Sequence, residues 1–252
     1  MLSNSFLPRG RLTPLRHHLR LSRTISTERI VILSDARRIK RDLEFSNYDK
    51  WGFVVYRCTY GDDDAWDRFK NVITERSRQQ ILDSDAPEIL KTLTWTCSED
   101  RQAFDNASTA TLRRHFNAWA RENWQLEQPR GKHAHRPRYQ YFIRVDRAAL
   151  ESVLDYPEAI RERPWLEGGY IDIVDATWQS HAEYADPNPD PEDEEFDQPD
   201  LSYEPIEGCR EEDVGWMRLP AKRVGAQMYS VLVGHDAWYF YYERPPEIAF
   251  WV

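Results

Sequence analysis

The chain has 252 residues and a formal charge of −9, and 13% of its residues are aromatic, ten of them tryptophan. That length suits one sizeable core, and no apolar run approaches the length that spans a bilayer, so a soluble protein without membrane partners is expected. The first 27 residues hold Arg9, Arg11, Arg16, Arg20 and Arg23 and no acid, so these five charges leave −14 on residues 28–252. A field of that sign opposes the counterion release on which phosphate-backbone binding depends, so no nucleic-acid partner is expected. Cys58, Cys97 and Cys209 are odd in number and far apart, which argues against a disulfide scaffold or a zinc ribbon. They point to a reducing, intracellular compartment, the cytoplasm or the mitochondrial matrix.

Residues 1–27 read as a basic leader. Leu12, Leu15 and Leu19 fall at helical spacing with arginines largely elsewhere around the helix, the composition of a mitochondrial transit peptide. Pro8 and Pro14 weaken that helix and leave a disordered tail or a misplaced gene start as the competing readings. Residues 28–252 read as a single domain. Phe53 to Tyr60 are β-branched or aromatic almost throughout and predict a strand, stopped by Gly61 and three aspartates. Asp62 to Asp64 then cap a helix over about 63–82, in which Trp66, Phe69, Ile73 and Ile81 recur at helical spacing.

Leu90 to Cys97 reads as a second strand, followed by a helix capped near Asn106 or Ser108 with Leu112, Phe116 and Trp119 inward. The basic stretch from Arg130 to Arg138 lies between Pro129 and Pro137 and reads as an exposed loop. Tyr139 to Val145 alternates as a strand, Asp146 caps a helix with Leu150, Val153 and Leu154, and Tyr170 to Trp178 is a fourth strand. Residues 186–200 contain eight acids, four prolines and no base; too little apolar surface is present to offset the ordering entropy, so a disordered loop is expected. A strand over Val214 to Leu219, a helix carrying Val224, Met228, Val231 and Leu232, and a last strand over Trp238 to Tyr242 complete the chain. This order predicts an α+β fold, an antiparallel sheet with helices packed on one face, built from split β-α-β (ferredoxin-like) units. Glycine-rich phosphate loops are absent, so no nucleotide cofactor is expected, nor any other.

Several blocks carry a likeness: Trp51-Gly-Phe-Val-Val-Tyr-Arg-Cys-Thr-Tyr60, Glu99-Asp100-Arg101, Arg138-Tyr139, Gly208-Cys209, Val214-Gly215-Trp216-Met217, Ala237-Trp238-Tyr239 and Arg244-Pro-Pro-Glu-Ile-Ala249. Through them the chain resembles a large family of uncharacterised proteins from filamentous fungi, over roughly residues 48–250. The resemblance implies no activity, cofactor or catalytic residue.

Candidate chemistry is sparse. Cys58 could act as a nucleophile if His115 served as its base, although a strand cysteine is more often a small buried hydrophobe. Asp62 and its neighbours Asp63 and Asp64 could meet Glu99 and Asp100, yet aspartates ahead of a helix ordinarily cap it, so no metal site is expected. Arg101, Arg138, Arg144 and Arg244 with Tyr139, Tyr141, Tyr239, Tyr241 and Tyr242 could line a cleft for an anionic or aromatic ligand, against the alternative of an aromatic core with snorkelling arginines. The leading expectation is a non-catalytic binding or protein-interaction domain. The alternatives are a small-molecule enzyme or ligand-binding protein using a cleft of the sheet, and a homo-oligomer joined through aromatic strands.

Overall fold

The computed structural model describes residues 33–132, 137–155, 166, 168–184, 200–234 and 236–250. The basic leader, residues 133–136 of the basic stretch and residues 186–199 of the acidic stretch lie outside the described residues.

Strands β1 (Val54–Arg57), β2 (Thr96–Ser98), β3 (Tyr141–Val145), β4 (Tyr170–Asp175) and β5 (Trp216–Pro220) form one sheet in the order β2-β1-β3-β4-β5. β1 pairs parallel with β2 and with β3, whereas β3–β4 and β4–β5 are antiparallel. The sheet is therefore mixed, which corrects the antiparallel expectation. The cause lies in the connections: helix α2 (Asp63–Leu82) carries the chain from the end of β1 back to the start of β2, and a crossover of that length delivers a parallel neighbour. Because β1 and β2 lie side by side, they do not enclose a third strand as a split β-α-β unit requires.

Helices cover both faces, not one. Successive strand residues alternate between faces. Tyr56 and Phe142 meet Phe104 of α3 (Arg101–Phe104) and Phe116 of α4 (Thr109–Glu127), with ring centroids 5.1 and 5.0 Å apart. On the opposite face Arg57 lies against Trp66 of α2, and Tyr141 stacks at 5.6 Å on Trp238. The crossovers from β1 to β2 and from β2 to β3 run in opposite directions along the sheet, so a common right hand places α2 and α4 on opposite faces. Every residue of β1, β3 and β4 is buried in consequence.

Three helices start at their predicted caps, whereas helix α1, over Asp35–Ser46, was not expected from the sequence. Asp62, Ser108 and Asp146 accept from Ala65 N, Thr111 N and Ala149 N, at the starts of α2, α4 and α6 (Arg147–Leu154). Pro137–Gln140 forms the short α5, and His181–Tyr184 the short α7. Helix α1 (Asp35–Ser46), capped by Ser34, packs Ile39 and Leu43 inward against α8 (Ala226–Leu232).

Two predicted strands are otherwise in the structure. Residues Pro87–Thr92 form a 3-10 helix opened by the fixed φ of Pro87, so only Thr96–Ser98 joins the sheet. Trp51, fully buried, holds that turn by donating Nε1 to Ile89 O at 2.9 Å. Its neighbour Gly52 has φ of +115°, and a Cβ there would sit 2.4 Å from Thr94 O, so no other residue fits. The second is Ala237–Tyr241, which forms helix α9 instead of a strand. Ala237 and Trp238 turn inward while Tyr239 and Phe240 turn out, a helical division of the aromatic run.

Candidate interaction surface

The reactive side chains expected from sequence are committed to structure. Cys58 follows β1 with its Sγ against Tyr56 O, and burial pushes the thiol up to about 12 despite the nearby Arg144 guanidinium. His115 shares a hydrogen bond of 2.8 Å with Tyr56 Oη, and among the described residues no bond joins it to Cys58. A thiol with that pKa presents only about one thiolate in 10⁴ molecules at pH 8. Iodoacetamide at pH 8 should therefore label native Cys209, which is half-buried, well before Cys58, and Cys58 should react only on unfolding. Rapid stoichiometric labelling of Cys58 in the native chain, read by peptide mass spectrometry, would restore the nucleophile reading.

Asp62 caps α2, and Asp63 pairs with Arg57 at 2.5 Å. Asp100 caps α3 through Gln102 N and Ala103 N, and Glu99 pairs with Lys70 at 3.2 Å. These acids lie at neighbouring strand ends, yet no group of metal-binding side chains converges among the described residues.

The arginine–tyrosine cleft is not formed. Arg138, expected on an exposed loop, is fully buried and grips Glu127 with two bonds of 2.7 Å, while Tyr139 Oη donates to the same carboxylate at 2.9 Å. Arg144 bonds Asp172 and lies 4.2 Å from the Trp216 ring. Tyr141 is buried against Trp238. Arg101 is exposed at the start of α3, apart from the others. Arg244 donates Nε to Glu211 O and Nη2 to Glu204 O and Cys209 O, and covers the Tyr203 ring at 5.0 Å. Arg138, Arg144, Arg244, Tyr139 and Tyr141 find their partners inside the fold, as in the snorkelling alternative or deeper, whereas Arg101 and Tyr239 are exposed.

Among the described residues the outer face of α9 is uncommitted and carries two large exposed rings side by side. Tyr239 and Phe240 are 78% and 81% exposed. Asp236 precedes them at helical spacing, makes no capping bond, and shares their face. Glu243 and Glu247 follow and are exposed. Among the described residues none of these five side chains has a hydrogen-bond or ion-pair partner, as is also true of the exposed Asp64 and Glu122, whereas Asp85 pairs with Arg37 at 2.9 Å and Asp49 with Arg130 at 2.7 Å.

The inner side of the same segment is firmly held. Trp238 Nε1 donates to Asp213 at 2.9 Å, and Tyr242 Oη accepts from Val214 N and donates to Glu212 O, both at 3.0 Å. The Arg244 bonds secure the next residues to the 204–211 segment. A rigid mount thus presents the two rings outward, with the Asp236 carboxylate beside them. Sequence reasoning named Tyr239 only as part of a cleft and did not name Phe240, because a strand over Trp238 to Tyr242 turns every second ring inward. Gly234 and Asp236 ahead of the run were the available signal for a helix start.

Comparison of the chain with protein-family models, with curated proteins and with solved structures finds no match. No helix among the described residues is long and apolar enough to cross a membrane.

Proposed function

We propose that this chain is a non-catalytic protein-interaction domain whose contact surface is the outer face of α9. The observation that carries the reading is the pair Tyr239 and Phe240, adjacent, more than three-quarters exposed, and mounted on a segment fixed from behind. Large rings of this kind supply contact area at low entropic cost when their backbone is already ordered. Single exposed apolar residues are ordinary; two contiguous rings among partnerless side chains on a rigid support are not. The enzyme alternative has no comparable support, because Cys58, His115 and Asp62 are each engaged in holding the fold.

Selection of a random peptide library on the immobilised full chain tests the reading. Peptides returned should lose affinity by about tenfold for Phe240→Ser, the size expected for removing one aromatic anchor, while the variant keeps the wild-type melting temperature. Peptides that bind Phe240→Ser and wild type alike would remove α9 as the contact surface.

A further inference from the structure

We propose that the groove between α4 and residues 176–183 binds a small molecule with an oxyanion head, carboxylate or phosphate, and a flat apolar body, and that the head docks on Arg113. This site is separate from the α9 face and does not depend on it.

Arg113 carries an uncompensated charge. Among the described residues four arginines are buried, and three are matched by a carboxylate: Arg57 by Asp63, Arg138 by Glu127 and Arg144 by Asp172. Arg113 has no such partner. Its Nε and Nη2 donate to the main-chain carbonyls of Asp175 and Val214, both at 3.0 Å, which fixes the guanidinium and leaves its charge unopposed. The acids around it are committed elsewhere: Asp175 Oδ1 accepts from Thr177, Asp213 from Gly215 N and Trp238 Nε1, and Glu183 from Ser180 N. A guanidinium does not shed its proton to escape the cost of burial, so the site calls for an anion. Burial lowers Arg113 from its ordinary value and the surrounding acids do not restore it, whereas at Arg138 and Arg144 the bonded carboxylates overcome burial.

The unbonded nitrogen meets open space. Nη1 has no partner and is not sealed from solvent, and Arg113 lines a groove of about 610 Å³, within the range of small-molecule sites. Arg114, exposed on the same helix, bonds only the Thr111 hydroxyl and brings a second cation to the groove. Half-buried Trp178 lies 4.6 Å from the Arg113 guanidinium and supplies a flat apolar wall beside the charge. Gly215 makes this pairing possible: at φ of +72°, a Cβ there would lie 2.2 Å from Arg113 Nη2 and 2.5 Å from the Trp178 ring. Two cations thus face one acid, Glu183, in a groove of an otherwise acidic chain.

The experiment titrates the full chain by calorimetry with benzoate, phenyl phosphate, inorganic phosphate and benzyl alcohol. Benzoate, phenyl phosphate or both should bind saturably with Kd below about 1 mM, and the tighter of the two names the head group. Inorganic phosphate should bind at least about fivefold more weakly for want of the ring, and benzyl alcohol, which keeps the ring and lacks the charge, should not bind. Gln179→Glu, which sets a like charge in the groove, and Arg114→Gln should each weaken the anions about fivefold. Both positions are exposed, so melting temperatures should be unchanged. Arg113→Gln should abolish binding; since it also strands the carbonyls of Asp175 and Val214, the two exposed variants carry the test if it does not fold. Phe240→Ser should bind the anions as wild type does.

Benzyl alcohol binding as tightly as benzoate would overturn the oxyanion head, and inorganic phosphate binding as tightly as phenyl phosphate would overturn the flat body. Affinity unchanged in both Gln179→Glu and Arg114→Gln would place the anions elsewhere on the chain and overturn the site. Failure of all four compounds to bind below about 1 mM would make Arg113 a clamp on two carbonyls and nothing more. Binding lost in Phe240→Ser and kept in the groove variants would move the ligand to α9 and equally defeat the inference.

Discussion

Replacing Arg138 by methionine should lower the free energy of unfolding at pH 7 by about 3–5 kcal/mol, the cost of leaving one member of a buried ion pair behind. Arg138 has no exposed surface, and its guanidinium is satisfied at four points: Glu127 Oε2 and Oε1 at 2.7 Å each, Thr94 O at 3.0 Å and Thr96 Oγ1 at 2.9 Å. The pair therefore ties the C-terminal end of α4 to the strand entering β2 and to α5. Burial alone would push the Glu127 carboxyl up, but Arg138 overrides it and holds Glu127 below the usual range. Methionine fills most of the volume and supplies no charge, so Glu127 loses both guanidinium bonds and keeps only the Tyr139 hydroxyl, with Lys50 Nζ 3.8 Å away. Chemical denaturation should show a lower midpoint with an unchanged slope. The double variant Arg138→Met, Glu127→Leu should recover part of the loss, since the stranded carboxylate is then gone. A single variant within about 0.5 kcal/mol of wild type would mean that solvent reaches Glu127 and that the pair behaves as a surface bridge.

The same residue shows where sequence reasoning stopped. Arg138 sits one residue after a proline in a run of basic residues, and local composition reads it as solvated; only the distant Glu127, Thr94 and Thr96 make it internal. Local rules succeeded where the determinant is local. Asp62, Ser108 and Asp146 cap the helices expected of them, and β1, β3 and β4 lie within the runs of alternating or β-branched residues that predicted them. Strand direction was legible in principle, because a 20-residue helix between two strands cannot be a hairpin, yet the antiparallel expectation set that aside. The helical division of Trp238, Tyr239 and Phe240 was not legible from β propensity, since aromatic residues favour strands and the deciding bonds come from Asp213, Glu212 and Val214. With that helix went the candidate surface.

The second large effect concerns pH and the row Arg144–Asp172–Arg218, three residues in direct register across β3, β4 and β5. Asp172 is fully buried; its Oδ2 accepts from Arg144 Nε and Nη2 at 3.1 and 2.9 Å, and its Oδ1 lies 3.6 Å from Arg218 Nε without a hydrogen bond. Burial pushes the carboxyl up to about 6, against the pull of both guanidiniums and with Asp146 adding to the rise. Glu207, which bonds Arg144 Nη1 at 3.3 Å and caps Thr109 N, draws on the same cation. A folded-state pKa above the unfolded value of about 3.9 means that the native chain holds a proton the unfolded chain has released. Stability from this group is thus greatest below about pH 4, declines as pH rises towards 6, and levels off above it. Asp172→Asn removes the titration while keeping the shape, so it serves as the reference. Wild type should lose about 3 kcal/mol relative to Asp172→Asn between pH 4 and pH 7, two units at roughly 1.4 kcal/mol each, measured by urea denaturation of both chains across the range. The opposite slope, wild type gaining on Asp172→Asn as pH rises, would show that the two arginines outweigh burial and hold Asp172 ionised well below its ordinary range. In that case the buried row would be a net source of stability at neutral pH, and Asp172→Asn would be among the more damaging single substitutions in the sheet.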